Sequence, residues 1–338
     1  MKQIEAFTLG KKFGHPELNE DSMVIMPDLG YAVIDGVTDR NGTRYGGMLS
    51  GRFASRTVKR ALEQFLLGRN DPDQRHLTYE GPEWLMRYLT NAIRRGYEDN
   101  NALAAAKSDW KVRAGCTLMI AFYDGDFLQV VAAGDSGIRI NGSDVVQPLK
   151  PLDDVTAILR REAWRVFEAK GVGVKDRDRM SGLFTWQGTQ HQPPGSETGD
   201  PGLIETIEKQ ALEAARQHLP TVPDYELLEL IQHGIAHGQG NFQNVTDRVL
   251  GYGGLDGFDI ASQYIVTRRL PISEIDTIEL FSDGYFEMGA EFGIASWEAA
   301  FQRVEEEDPH KIGRYMSVKG TTDIQLTDDR TYIGVRLR

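Results

Sequence analysis

The chain has 338 residues, of which 40% are hydrophobic, so it can bury one large core or two smaller ones. Its 38 basic against 50 acidic residues give a net charge of -12, and the acids are spread along the chain, so we expect neither nucleic acid nor an anionic membrane as a partner. The chain has one cysteine, Cys116, which excludes an internal disulfide or a thiolate zinc cluster. The sequence shows neither an apolar leader nor a run of about 20 apolar residues, and it therefore predicts a cytoplasmic protein.

The first third of the chain alternates between strand-like and helix-like patterns. Short apolar runs predict strands at residues 4–9, 22–26 and 31–34. A helix is predicted from Gly47 to Leu67, because its apolar residues recur near one face. A second helix, from about Pro82 to Ala106, begins with proline in its first turn, where the missing amide hydrogen is tolerated.

Three more strands are predicted next, at residues 116–123, 127–133 and 137–140. The segments between them have the glycine and aspartate content of hairpin turns. Antiparallel strands with helices in blocks indicate sheets covered by helices rather than a doubly wound parallel fold.

The sequence changes character after Pro151. Helical patterns occupy residues 153–170, 203–218 and 224–236. Two stretches between the first two of these helices are predicted to be loops, because they are rich in glycine, proline and charged residues. They are GVGVKDRDRMSG and TQHQPPGSETGDPG.

Strand patterns return from Ser262 in three segments, SQYIVT, TIELF and TYIGVRL. Helical patterns at 296–306 and 309–316 lie between the last two. Acidic residues near the two ends of the chain must meet to form one site. We therefore predict a single domain over residues 1–338, closed by its last strand, with an elaborated insertion at about 151–240.

Carboxylates lie at the ends of several apolar runs, beside glycine or a second acid. They occur in the segments YAVIDG, VVAAGDSG, IELFSDG and TDDRTYIGVRL, and in NEDS before strand 22–26. Such residues form sites for hard divalent cations, and two Mg²⁺ or Mn²⁺ ions roughly 3.5–4 Å apart can activate a shared water for attack on a phosphoryl group. Asp35 is the natural bridging carboxylate, and Gly36 lets its backbone carbonyl approach an ion.

These motifs, in this order, resemble the metal-dependent serine/threonine protein phosphatases of the type 2C family. The resemblance covers nearly the whole chain and is weakest between residues 150 and 240. It implies a four-layer α-β-β-α sandwich of two mainly antiparallel sheets, with a dinuclear Mn²⁺ or Mg²⁺ centre that hydrolyses phosphoserine and phosphothreonine in proteins. Catalysis would depend on Asp35 and Asp283 through the activated water.

The resemblance also implies a role for each matching acid. Asp35 would bridge two ions, with the Gly36 carbonyl as a further ligand. Asp135 matches the ligand of a third, weaker metal site, and Asp329 would orient the ligands rather than bind metal. The remaining ligands would be Glu20, Asp21, Asp283 and Asp328.

Two positions depart from the family pattern. Val37 stands where many members have a histidine that protonates the leaving group, and Pro16 stands where an arginine grips the substrate phosphate. Four residues are candidates to replace that arginine, namely Lys12, His15, Arg40 and Arg44. These departures leave two alternatives open, a catalytically weakened binding or regulatory module and a phosphatase of small phosphorylated molecules.

Overall fold

The protein is described by a computed structural model that covers residues 3–38 and 41–338. The chain divides into two compact units. The first comprises Met1–Leu149, Gly253–Gln302 and Ile324–Arg338, and the second comprises Lys150–Tyr252 and Arg303–Asp323. The segment 151–240 lies within the second unit.

The first unit contains two five-stranded antiparallel sheets. Its strands are β1 (Gln3–Leu9), β2 (Ser22–Met26), β3 (Gly30–Ile34), β4 (Arg44–Tyr45), β5 (Met48–Leu49), β6 (Leu118–Asp124), β7 (Phe127–Ala133), β8 (Gly137–Ile140), β9 (Asp144–Val146), β10 (Val266–Pro271), β11 (Thr277–Phe281) and β12 (Arg330–Arg336). One sheet has the order β1-β12-β11-β8-β9 and the other the order β10-β7-β6-β3-β2, while β4 and β5 form a small hairpin. The last strand, β12, therefore lies inside its sheet, between β1 and β11.

Helices cover the outer faces of these two sheets. The helices of the chain are α1 (Ser50–Gly68), α2 (Pro82–Asp99), α3 (Leu103–Ser108), α4 (Pro151–Ala169), α5 (Val174–Gln187), α6 (Pro201–His218), α7 (Asp224–Asn241) and α8 (Ile294–Glu307). Phe65 of α1 meets Phe122 of β6 edge to face at 5.4 Å, and Trp297 of α8 packs on Tyr332 of β12 at 5.1 Å. Between the sheets, Val33 and Met119 of one join Ile278 of the other in a shared apolar core. The predicted four-layer α-β-β-α architecture is confirmed.

The second unit is helical. Helices α4 to α7 enclose an apolar core of their own, which includes Leu159, Phe167, Phe184, Ile207 and Leu230. Among the described residues, no helix is both long and apolar enough to cross a membrane.

The prediction of a loop at GVGVKDRDRMSG is wrong, because most of this segment belongs to helix α5. Lys175, Asp176 and Arg179 are exposed, whereas Asp178 faces α4 and accepts a hydrogen bond from the buried Arg160 at 2.7 Å. The apolar anchors come only later, at Met180 and Phe184, and the Phe184 ring lies 6.1 Å from that of Phe167. A helix with so few apolar residues forms because it packs against its neighbours.

The prediction of a helix at 309–316 is also wrong. The Asp308 carboxylate accepts hydrogen bonds from the backbone amides of Ile312, Gly313 and Tyr315 at 2.8–3.1 Å. These bonds compete with a helical ladder, and Lys311 adopts a left-handed backbone with φ of 50°. The segment is therefore a turn fixed by one aspartate. A smaller difference lies at SQYIVT, where Ser262–Tyr264 form a 3-10 turn and the strand begins at Val266.

Candidate metal centre

Three aspartates from distant parts of the chain converge at strand ends of the first unit. Asp35 follows β3, Asp135 lies between β7 and β8, and Asp283 follows β11 by one residue. Each offers one carboxylate oxygen, and these three oxygens all lie within 4.8 Å of one another. The two sheets thus bring together carboxylates that are separated by about a hundred residues or more in sequence.

Electrostatic repulsion within this group is strong. Burial raises the pKa of Asp35 well above its ordinary value, and the nearby carboxylates of Asp21 and Asp328 raise it further. Burial and then the charge of Asp35 likewise raise the pKa of Asp283 well above its ordinary value. Closely spaced, half-buried acids that repel one another favour either a proton or a cation between them.

Asp21 is held in place by two hydroxyl groups. Its Oδ2 accepts hydrogen bonds from Ser282 Oγ at 3.0 Å and Thr331 Oγ1 at 2.7 Å. Its Oδ1 is buried and has no hydrogen-bond partner among the described residues, and the same is true of Asp283 Oδ1. Burial, followed by the charge of Asp329, raises the pKa of Asp21 to about 7. Buried, unpartnered carboxylate oxygens fit the ligand set of a hard divalent cation.

Two glycines allow the backbone to close around this region. A Cβ placed on Gly36 would lie 2.6 Å from the Glu20 carbonyl oxygen and 2.6 Å from the backbone of Gly51. A Cβ placed on Gly51 would lie 2.3 Å from the carbonyl oxygen of Val37. Only glycine fits at such distances, so the start of α1 packs directly on the segment that carries Glu20, Asp35 and Gly36.

A lysine that the sequence analysis did not single out lies among the remaining acids. Lys11 is 4% exposed, and its Nζ lies 3.3 Å from Glu20, 3.1 Å from Asp328 and 3.0 Å from Asp329. It also donates to Thr38 Oγ1 at 2.8 Å. Burial alone would lower the pKa of this ammonium group, but Asp328, Asp329 and Glu20 together raise it well above its ordinary value. Lys11 is therefore a fixed positive charge inside the acidic cluster.

Asp329 ties this part of the cluster together. Its Oδ1 accepts from the Lys11 backbone amide at 2.7 Å, and its Oδ2 accepts from the Glu20 amide at 3.2 Å. Asp328 Oδ1 in turn accepts from the Asp329 amide at 2.9 Å. The segment before β12 and the loop between β1 and β2 are thus joined through one aspartate.

The residues predicted to bind phosphate make no described contact with the converging aspartates. Lys12 is exposed, His15 pairs with Glu17 at 3.0 Å, and Arg44 donates to the Gly47 carbonyl at 2.9 Å. Arg40 lies outside the described residues. The sequence feature that points to Lys11 is the excess of acidic residues at this site, because such an excess requires a cation nearby. That signal alone does not distinguish Lys11 from Lys12.

No family model matches the chain, and no curated protein matches it. Solved structures with a similar fold include the serine/threonine phosphatase Stp1 from Staphylococcus aureus, with 12% identity and a TM-score of 0.48 over 100% of this chain and 96% of that one. A second is the serine/threonine phosphatase PstP/Ppp from Mycobacterium tuberculosis, with 15% identity and a TM-score of 0.44 over 100% and 99%. A third is PppA from Pseudomonas aeruginosa, with 12% identity and a TM-score of 0.41 over 99% and 97%. At these values the similarity alone assigns neither family nor function.

Proposed function

We propose that this protein is a Mn²⁺- or Mg²⁺-dependent phosphatase of the type 2C kind, acting in the cytoplasm on phosphoserine or phosphothreonine in proteins. The observation that carries the proposal is the convergence of the Asp35, Asp135 and Asp283 carboxylates at strand ends of a four-layer sandwich. The order of the sequence motifs supports the same assignment, because each of these aspartates lies in a motif that resembles that family.

The residues of the chain have separable tasks in this proposal. Asp35 and Asp283 would hold the cations, and Asp21 is oriented for the same purpose by Ser282 and Thr331. When bound, divalent ions would supply the positive charge that polarises a phosphoryl group and acidifies a water molecule. Lys11 adds a permanent charge on the side of Asp328, where it offsets part of the acidic excess.

The proposal is tested by turnover of a small aryl phosphate and of a phosphothreonine peptide, each titrated with Mn²⁺ and Mg²⁺ and then treated with EDTA. We expect metal-dependent release of phosphate from both substrates. Turnover of neither substrate, with metal binding intact, would favour the regulatory module. Turnover confined to small phosphates would favour a phosphatase of small molecules.

Replacement of Asp135 by alanine should weaken activity mainly at low metal concentration. Asp135 contributes one of the three converging oxygens, so its loss removes a single ligand and leaves Asp35 and Asp283 in place. We expect the half-saturating Mn²⁺ concentration to rise about tenfold, as for other losses of one supporting group in a metal site. The measurement is an activity titration together with calorimetric Mn²⁺ binding. Superimposable curves for the variant and the wild type would exclude Asp135 as a ligand.

A further inference from the structure

A cleft beside the metal centre is lined by a row of cations. It has a volume of about 430 Å³ and lies between α1 and the segment that joins β1 to β2. Helix α1 contributes four cations to its wall, Arg52, Arg56, Lys59 and Arg60, and one acid, Glu63, while the facing segment contributes Asn19. Arg52, Arg56 and Arg60 follow one another at intervals of four positions, and Lys59 follows Arg56 by three, so these side chains lie along one side of the helix.

Three of these four cations lack an ion-pair partner among the described residues. Lys59 lies 3.8 Å from Glu63, whereas Arg52, Arg56 and Arg60 form no ion pair with any carboxylate in the part of the chain that the structure describes. Burial lowers the pKa of Arg52 and repulsion by Arg56 lowers it further, while the carboxylates of Glu17, Asp329 and Glu20 act in the opposite direction without reversing the shift. A concentration of unpaired cations is unexpected in a chain whose net charge is -12.

Helix stability does not account for these residues. The first turn of α1 includes Arg52 and has no acidic residue. The helix dipole places partial positive charge at this end, so a cation here opposes it and an acid would be favoured. The arrangement becomes favourable when an anion occupies the cleft, because the arginine side chains and the helix dipole then act together.

The cleft is directly connected to the metal centre. Arg52 Nη1 donates to the carbonyl oxygen of Asn19 at 2.6 Å, and Asn19 immediately precedes Glu20 and Asp21. Asp21 itself forms part of the cleft lining. An extended peptide with one residue at the metal centre would therefore place neighbouring side chains over α1.

We infer that this cleft binds acidic side chains next to the phosphorylated residue of a protein substrate, an inference that rests on the proposed function. Glutamate, aspartate and a second phosphorylated residue share the negative charge that the three arginines would recognise. The phosphatase would accordingly prefer phosphorylation sites in acidic sequence.

The test uses Arg56→Glu/Arg60→Glu in the full chain. Its matched control is Arg87→Glu/Arg95→Glu, which makes the same charge change at two exposed positions of α2. Three phosphothreonine peptides, flanked by glutamate, by glutamine or by lysine, are compared by kcat/KM at low and at physiological salt. Aryl phosphate turnover reports the metal centre separately.

We expect the wild type and the α2 control to prefer the glutamate peptide by about tenfold over the glutamine peptide, a preference that decreases with salt. The α1 variant should lose this preference and favour the lysine peptide, with aryl phosphate turnover unchanged. Absence of an acidic preference in the wild type would overturn the inference, and so would an equal loss in the α2 control.

A second experiment tests the cleft even if no substrate is hydrolysed. It measures binding of a labelled, unphosphorylated glutamate peptide by fluorescence anisotropy. Loss of binding in the α1 variant alone would support the inference, while loss of catalysis in every protein would reject only the proposed function. If a DNA or RNA oligonucleotide displaces the peptide and binds more tightly, the occupant is a nucleic acid and the inference is wrong.

Discussion

The substitutions Asp35→Asn and Asp283→Asn are each expected to abolish Mn²⁺-dependent phosphate hydrolysis. Each substitution removes one negative charge from the converging aspartates while it keeps the shape of the side chain. The expected loss is about a thousandfold in kcat/KM, equivalent to ~4 kcal/mol of transition-state stabilisation. The control is Asp99→Asn, at an exposed aspartate in the last turn of α2. Wild-type turnover in either variant at saturating Mn²⁺ would contradict the metal assignment.

The same two variants should be more stable than the wild type when metal is removed. Because burial and neighbouring carboxylates raise the pKa of Asp35 and of Asp283, the folded protein retains protons that the unfolded chain releases. Stability in EDTA should therefore decrease as the pH rises from the unfolded value of about 4 toward the raised folded values. Each variant lacks one of these groups, so its stability should depend less on pH. Urea unfolding between pH 5 and 8 measures this difference, and parallel curves would contradict it.

Replacement of Lys11 by methionine should strongly destabilise the metal-free protein. The Lys11 ammonium group contacts Glu20, Asp328 and Asp329 in a position that is 4% exposed, so its loss leaves buried carboxylates without their counter-charge. Removal of one partner from a buried ion pair costs about 3–5 kcal/mol. Divalent cations should restore part of this stability, because they can compensate the same carboxylates.

Thermal unfolding in EDTA and in Mn²⁺ measures this effect. Lys12→Met is the matched control, since Lys12 is adjacent and exposed, and it should leave both melting temperatures unchanged. A decrease for Lys11→Met that is the same in EDTA and in Mn²⁺ would indicate that Lys11 acts only in packing. No decrease in EDTA would show that the acidic cluster does not need the ammonium group.

Strand patterns predicted most strands of the first unit, and the four-layer arrangement was implied by the resemblance of the motifs to a known family. Runs such as YAVIDG and IELFSDG end in aspartate where the strand ends, and the side chains of Asp35 and Asp283 meet because adjacent sheets bring these ends together. The pairing of β1 with β12 was harder to predict from the sequence, since Gln3 pairs with Arg336 near the opposite end of the sequence. Strand patterns do not record partners that are so distant in sequence.

Elements that depend on tertiary contacts were not predictable in the same way. Helix α5 has too few apolar residues to be recognised by periodicity, and the turn at 309–316 has a helical pattern that Asp308 overrides. The role of Lys11 depends on the arrangement of three acids from two distant segments. In each case contacts between residues that are not periodically spaced decide the local structure, and such contacts leave no periodic signal in the sequence.

The hydrogen bonds that hold the candidate metal centre together also affect how the protein folds. Thr331 to Asp21 spans 310 positions of sequence, and Lys11 to Asp329 spans 318. Closing loops of this length costs entropy before the contacts repay it, so the centre is expected to form late, after the main barrier to folding. A bound cation should then slow unfolding while it leaves the refolding rate nearly unchanged. Bound metal would thus increase the kinetic stability of the folded protein without accelerating its formation.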